Sequence, residues 1–253
     1  ARDAKKPFCM MLHFKAPHHS YEYPERWKDY LKDTLIPEPP SLHEDVEKTS
    51  PLLKGVHTWH LVDKNGYFGR HENDEEPPMW PHDGSVHSKT SAAYQHMIHK
   101  YLRAVGAVDD NIKRVIDYLE KERIKDDTLI IYTSDQGYWL GQHGLYDKRL
   151  ILEGSLKMPF IVRYPKEIKA GSVNEALCSN VDFAPTLLDV AGVPVPKAMQ
   201  GVSLRPLLQD KKPVNWRKGI WYAYWATGHY HWGVRTQEHK LIRFAGTSHY
   251  EFY

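Results

Sequence analysis

The chain has 253 residues, 41% hydrophobic and 26% charged, with a formal net charge of +2 when histidine is neutral. That length and balance suit one α/β domain with a small appendage at most. The near-neutral charge removes any bulk electrostatic case for a nucleic-acid partner, and no apolar run approaches the roughly 18 residues that a membrane span would need.

Sixteen histidines put many groups within reach of titration between about pH 5 and 8. The 16 tyrosines and 8 tryptophans suit sugar faces, although most such rings in a domain of this size simply pack. Cys9 and Cys178 make no disulfide framework and are expected to be plain buried thiols. The opening residues are not expected to be a signal peptide, because their basic residues run straight into a short apolar segment.

That segment, Phe8 to Phe14, is apolar except for His13 and predicts a buried parallel strand. A polar loop follows to Tyr23. A short helix is expected from Pro24 to Leu31 with proline in its first turn, and then a proline-rich traverse. Residues 54–90 mix His, Gly, Pro, Asp and Trp without period and predict a long surface insertion. From Tyr94 to Lys121, apolar positions at Ile98, Tyr101, Leu102, Val105, Val108, Ile112, Val115, Ile116 and Leu119 mark one face of a helix. Thr128 to Thr133 predicts a second buried strand, Met158 to Pro165 a third, and Val181 to Val190 a helix. From about residue 213 the texture changes to short alternating aromatic segments, which predict a small antiparallel sheet.

Chemistry concentrates after the Thr128–Thr133 strand. Ser134-Asp135-Gln136-Gly137 reads either as a capped turn or as two oxygens offered to a hard cation at a strand's carboxyl end, where glycine lets the backbone turn sharply away. Taken singly, Lys148 is a solvated charge, His18 a loop histidine, His143 a loop brace, and Lys15 and Arg149 ion-pair partners.

In order, the chain carries a strand, Asp-Gln-Gly, Leu140-Gly141-Gln142-His143-Gly144, Asp147-Lys148-Arg149, Glu153 and a proline-containing strand. FKAPHHSYEYP (14–24) precedes them and HWGVRT (231–236) follows. This pattern resembles the sulfatase family of alkaline-phosphatase-like enzymes, most of all its glycan-desulfating members, the N-acetylglucosamine-6-sulfatases and their bacterial relatives. The resemblance implies an alkaline-phosphatase-like α/β sandwich lacking its N-terminal strands over residues 1–212, and a truncated antiparallel subdomain over 213–253. It also implies hydrolysis of sulfate esters on a sulfated carbohydrate, dependent on calcium and formylglycine. By the same resemblance, Asp135 and Gln136 are two ligands of one calcium ion, Lys148 binds the sulfate and the nucleophile, and His18 faces the leaving oxygen. Lys15, His143, Arg149 and His231 are expected as substrate or supporting contacts, Asp147 as structural, and the parent protein as periplasmic or secreted.

One departure is large. Formylglycine is made within Cys/Ser-x-Pro-x-Arg, yet Cys9 is followed by Met10-Met11 and Cys178 by Ser179-Asn180, and no serine has that context. The family's early Asp-Asp ligand pair is also missing. The expectation is a C-terminal fragment, inactive alone, with an incomplete calcium site. The alternatives are a phosphodiesterase or phosphonate hydrolase of the same superfamily, and a non-catalytic glycan-binding remnant.

Overall fold

The computed structural model describes residues 3, 5–45, 48, 50, 60–63, 66, 80–225 and 230–253. In chain order its elements are α1 (Val86–Lys121), β1 (Ile130–Thr133), β2 (Trp139–Leu140), β3 (Tyr146–Asp147), α2 (Glu153–Leu156), β4 (Phe160–Arg163), α3 (Phe183–Val190), α4 (Arg205–Leu208) and β5–β8 (Ile220–Tyr224, His231–Arg235, Lys240–Phe244, Tyr250–Phe252). They fall into two compact units, one of residues 1–44, 56–118 and 140–145, the other of 45–55, 119–139 and 146–253.

The first unit is organised by α1. The helix starts eight residues before the expected Tyr94, because Ser85 supplies a cap: its Oγ accepts the N–H of Ser88 at 3.2 Å. The face carrying Ala93, Met97 and Ala104 is buried. The proline-rich traverse beside it cannot form a ladder of its own, so helix side chains satisfy its backbone. Gln95 bonds both the N–H and the carbonyl of Ile36 (3.1 and 2.8 Å), and the Tyr94 hydroxyl donates to Pro37 O at 2.8 Å. Buried His99 faces carbonyls with both ring nitrogens, Gln95 O on one side and Leu31 O and Thr34 O on the other. Gly106 clears the space for Trp27, whose indole carbons lie within 2.8 Å of where a Cβ would stand.

In the second unit, β1 pairs antiparallel with β4 in the register Ile130↔Arg163 to Thr133↔Phe160. The strand is half-exposed rather than buried. Strands β5–β8 form the expected meander, each antiparallel to the next. Beneath it the chain is held by ionic knots. Buried Asp182 receives both Arg217 nitrogens (2.8 and 2.6 Å) and the backbone N–H groups of Ser179 and Val202.

Four further expectations change. Phe8–Phe14 contains no strand, and Met10 and Met11 are 60% and 73% exposed. A buried strand needs a hydrogen-bonded neighbour on each side, and this run is joined to none of the described strands. Pro24–Leu31 shortens to a 3-10 turn, Glu25–Trp27, with no side-chain cap. Cys9 and Cys178 are exposed. Of the 54–90 insertion, 54–59, 64–65 and 67–79 lie outside the described residues, and 86–90 already belong to α1.

Candidate active site

The second unit holds five of the expected site residues on two joined loops and one strand. The first loop leaves β1. Asp135 is exposed and accepts the Ser134 hydroxyl at 3.2 Å, while Gln136 is half-buried. Gly137 is there for a reason other than the one the sequence suggests. It needs no left-handed backbone. A Cβ at this position would instead stand 2.1 Å from Gly154 O and 2.5 Å from Lys157 O. Its N–H donates to Ser155 O at 2.8 Å, fastening the Asp135–Gln136 loop onto α2. Gly154 is bare in turn so that the Trp139 indole can lie against it.

The second loop carries Lys148 and Arg149. Lys148 is only 15% exposed and its ammonium lies 3.4 Å from Asp147 Oδ1. Arg149 reaches the other Asp147 oxygen at 3.6 Å. Asp147 therefore pairs with both cations. The backbone here is costly. Asp147, Arg149 and Leu150 have φ of 72°, 85° and 60°, and each L-residue in the left-handed region costs roughly 1–2 kcal/mol. Such a conformation persists only where its surroundings over-determine it.

Those surroundings were not legible in the sequence. The Ser155 hydroxyl donates to Arg149 O, so one serine fastens both loops, one through its carbonyl and the other through its side chain. The N–H of Ile151 donates to His231 Nε2 at 3.0 Å. Glu153 accepts Arg235 Nε at 2.9 Å and Lys240 Nζ at 2.6 Å. Burial pushes the Glu153 carboxyl up, but the hydrogen bonds from Lys240 and Arg235 outweigh it and hold the pKa below the usual carboxylate value. Burial holds Lys240 below the usual lysine value against the pull of Glu153. His231, expected as a substrate or supporting contact, is fully buried, its ring set between Tyr224 and Phe244. Its Nε2 accepts the Ile151 N–H, because the alternation along β6 turns His231 inward. The sequence signal for this was the spacing His231-x-Gly233-x-Arg235, which puts all three on one face of a strand.

The first unit holds the other three. Exposed His18 sits in a turn closed by His18 N–H to Lys15 O (2.8 Å) and Tyr21 N–H to His18 O (2.9 Å). Its Nδ1 donates to the His19 carbonyl at 2.6 Å, which puts the ring proton there and makes Nε2 the basic nitrogen. Lys15 is exposed three residues earlier. His143 adopts φ 57° between two left-handed glycines, Gly141 and Gly144. Its Nδ1 lies 2.8 Å from Glu44 Oε2, and its N–H donates to Ser41 Oγ at 3.2 Å.

For a hard cation, the Asp135 carboxylate and Gln136 amide are the right kind of donor, but calcium takes about 6–8 oxygens. Among the described residues no three His, Cys, Asp or Glu side chains converge as a metal site. The residues present match part of such a site and not the whole.

The sulfatase family profile matches residues 1–193, and that of the C-terminal part of N-sulphoglucosamine sulphohydrolase matches residues 141–253. N-acetylglucosamine-6-O-sulfatase of Bacteroides thetaiotaomicron is 40% identical over 96% of this chain and 51% of its own length. Human N-acetylglucosamine-6-sulfatase is 38% identical over 48% of this chain and 22% of its own. A solved structure described as a complex with its substrate D-glucosamine-2-N,6-O-disulfate superposes with a TM-score of 0.86 at 36% identity, covering 100% of this chain and 59% of that one. A phosphonate monoester hydrolase from Silicibacter pomeroyi superposes with a TM-score of 0.75 at 26% identity, over 94% of this chain and 47% of that one. The chain spans about half the length of the curated relatives it matches. Its fold is of the alkaline-phosphatase-like α/β class with a small antiparallel C-terminal sheet. No described helix is long and apolar enough to cross a membrane. The chain belongs to the sulfatase family.

Proposed function

We propose that this chain is part of a sulfuric ester hydrolase that removes sulfate from a sulfated glucosamine-type glycan, and that it supplies the residues meeting the sulfate and the leaving oxygen. The observation that carries the reading is the 40% identity over 96% of the chain to a glycan 6-O-sulfatase, together with the fastening of the Asp135 and Lys148 loops by one serine.

Each residue has a task that fits its surroundings. Lys148 sits in a half-buried position. There, a cation about 4 Å from a sulfate oxygen is worth on the order of 4 kcal/mol at an effective dielectric of 20. Asp147 orients that ammonium and is not its only electrostatic partner once an anion arrives. His18 holds a proton on Nδ1 through the His19 carbonyl, so a second proton on Nε2 can pass to the departing sugar oxygen, an effect worth roughly 10²–10⁴-fold. Asp135 and Gln136 would hold a calcium ion, which when bound neutralises charge growing on sulfate oxygens. Lys15, Arg149 and His143 are further candidates for substrate contact. The attacking group, a hydrated formylglycine, and the remaining calcium ligands are assigned to the half of such proteins that this chain does not span. The parent is assigned to the periplasm or the exterior of the cell. A phosphonate monoester hydrolase is the second reading, favoured by the structural likeness to the Silicibacter pomeroyi enzyme.

The test is made in the full-length parent, with kcat/KM on a sulfated sugar and on an activated aryl sulfate. A sugar alkoxide needs protonation far more than a nitrophenolate does. His18→Ala should therefore cripple the sugar reaction, by about 10²-fold or more, and largely spare the aryl one. Lys148→Ala should damage both alike, as loss of electrostatic stabilisation does. Equal slowing of both substrates by His18→Ala would remove His18 as the acid. Preference for a phosphonate monoester over both sulfates would favour the second reading.

A further inference from the structure

We infer that the inner face of the C-terminal sheet is a template that sets the Lys148–Arg149 loop, and that His231 is a positioning residue acting on Lys148 through the N–H of Ile151. Three alternate residues of β6 read three successive features of the loop. His231 Nε2 takes the N–H of Ile151 at 3.0 Å. Gly233 is bare first because a Cβ would stand 2.3 Å from Leu241 O on the neighbouring strand, and the Ile151 Cδ1 takes the same space, 2.8 Å from that point. Arg235 Nε takes Glu153 at 2.9 Å, and Lys240 on the neighbouring strand, the register partner of Arg235, takes the same carboxylate oxygen at 2.6 Å. Residues i, i+2 and i+4 of a strand share one face, so this alternation is a single continuous edge laid against residues 151–153.

The loop needs such an edge. Three of its four residues from Asp147 to Leu150 have positive φ without being glycine, a conformation these residues do not choose for themselves. Ile151 is the residue directly after this stretch, and Ser155 grips its other side through Arg149 O. Because Nε2 accepts a hydrogen bond, His231 works as the neutral imidazole with its proton on Nδ1. Being fully buried, it presents that acceptor in one fixed place. That Lys148 then meets sulfate rests on the reading of the preceding subsection, but the template does not depend on it.

Lys148 and Arg149 are themselves trypsin sites, so the loop reports its own release. Limited trypsinolysis of the 253-residue chain should compare cleavage after Lys148 or Arg149 with cleavage after exposed Arg123 at the end of α1. His231→Phe keeps the ring and removes the acceptor. It should accelerate loop cleavage on the order of tenfold relative to Arg123, the factor that stranding a buried N–H carries. His231→Gln places an amide oxygen near the position of Nε2 and should stay within about threefold of wild type, since it restores the acceptor. Glu153→Gln, a milder loosening of the second tie, should accelerate the same bonds about threefold. Unchanged loop cleavage in His231→Phe, equal acceleration by Phe and Gln, or acceleration at Arg123 in step with the loop would each overturn the inference. Since the readout is proteolysis and not turnover, failure here leaves the sulfatase reading standing, and failure of the His18 and Lys148 kinetics leaves the template standing.

Discussion

Replacing Gly137 by alanine should be among the most damaging small changes available in the second unit. The added Cβ would stand 2.1 Å from Gly154 O and 2.5 Å from Lys157 O, where carbon and oxygen normally rest at about 3.3 Å or more. Both obstacles are backbone carbonyls of α2 and its end, so no side chain can swing aside. The loop and α2 must separate by roughly 1 Å, a typical overpacking strain of about 1–3 kcal/mol. Separation also stretches the 2.8 Å bond from Gly137 N–H to Ser155 O, worth about 0.5–1.5 kcal/mol. The expected loss is roughly 2–4 kcal/mol. Gly171→Ala is the control. Its Cβ would meet nothing within 4 Å, but its φ is +71°, so it should cost only the left-handed penalty of about 1–2 kcal/mol. Urea unfolding of both variants at equal m-value measures the difference. A Gly137→Ala midpoint equal to wild type, or no lower than that of Gly171→Ala, would refute the close-approach argument.

Three further outcomes are expected. Gln95→Ala strands the N–H and carbonyl of Ile36 at a half-buried position and should destabilise the chain by about 1–2 kcal/mol in the same urea assay; a loss under about 0.5 kcal/mol would mean the traverse is held by packing alone. Glu153 has its pKa lowered in the folded state by Lys240 and Arg235, so its contribution is present above the unfolded carboxylate value near 4.3 and disappears as pH falls through the lower folded value. The stability gap between wild type and Glu153→Gln, measured by urea midpoints from pH 7 to 3, should close below about pH 4, and a gap that is constant with pH would count against the ion pair. With two oxygen donors in place of six or more, the isolated chain should bind calcium no tighter than about 1 mM by calorimetry; micromolar binding abolished by Asp135→Ala would show a complete site within this chain.

What the sequence made legible is what periodicity alone can specify. The 3.6-residue repeat through Ile98, Val108 and Leu119 and the alternation in Lys240–Phe244 depend on near neighbours in the chain, and both elements are present. Phe8–Phe14 has equally good strand chemistry, yet strand formation depends on a partner strand, and the run joins none of the described strands. The candidate site divides along the same line. Asp135, Lys148 and His18 could be singled out by local motif, but what each one touches could not. Gly137 is bare because of Gly154 and Lys157, about twenty residues on. The partner of Ile151 is His231, 80 residues away. A histidine inside an aromatic-rich motif near the end of such a chain invites a role on the substrate, because sequence displays the functional group and hides the direction in which it points. That direction follows from strand parity. Once β6 is known to begin at His231 and to bury Gly233, His231 must face inward with it. The buried face then has one polar acceptor, one gap and one cation in a row, and Ile151 N–H, the Ile151 side chain and Glu153 are the complements it meets. Ser155 and Lys240, which sequence reading passed over, Glu153, which it noted without a role, and His231, which it expected as a substrate or supporting contact, belong to one arrangement. Its work is to hold Lys148 in a backbone conformation that the loop does not hold by itself.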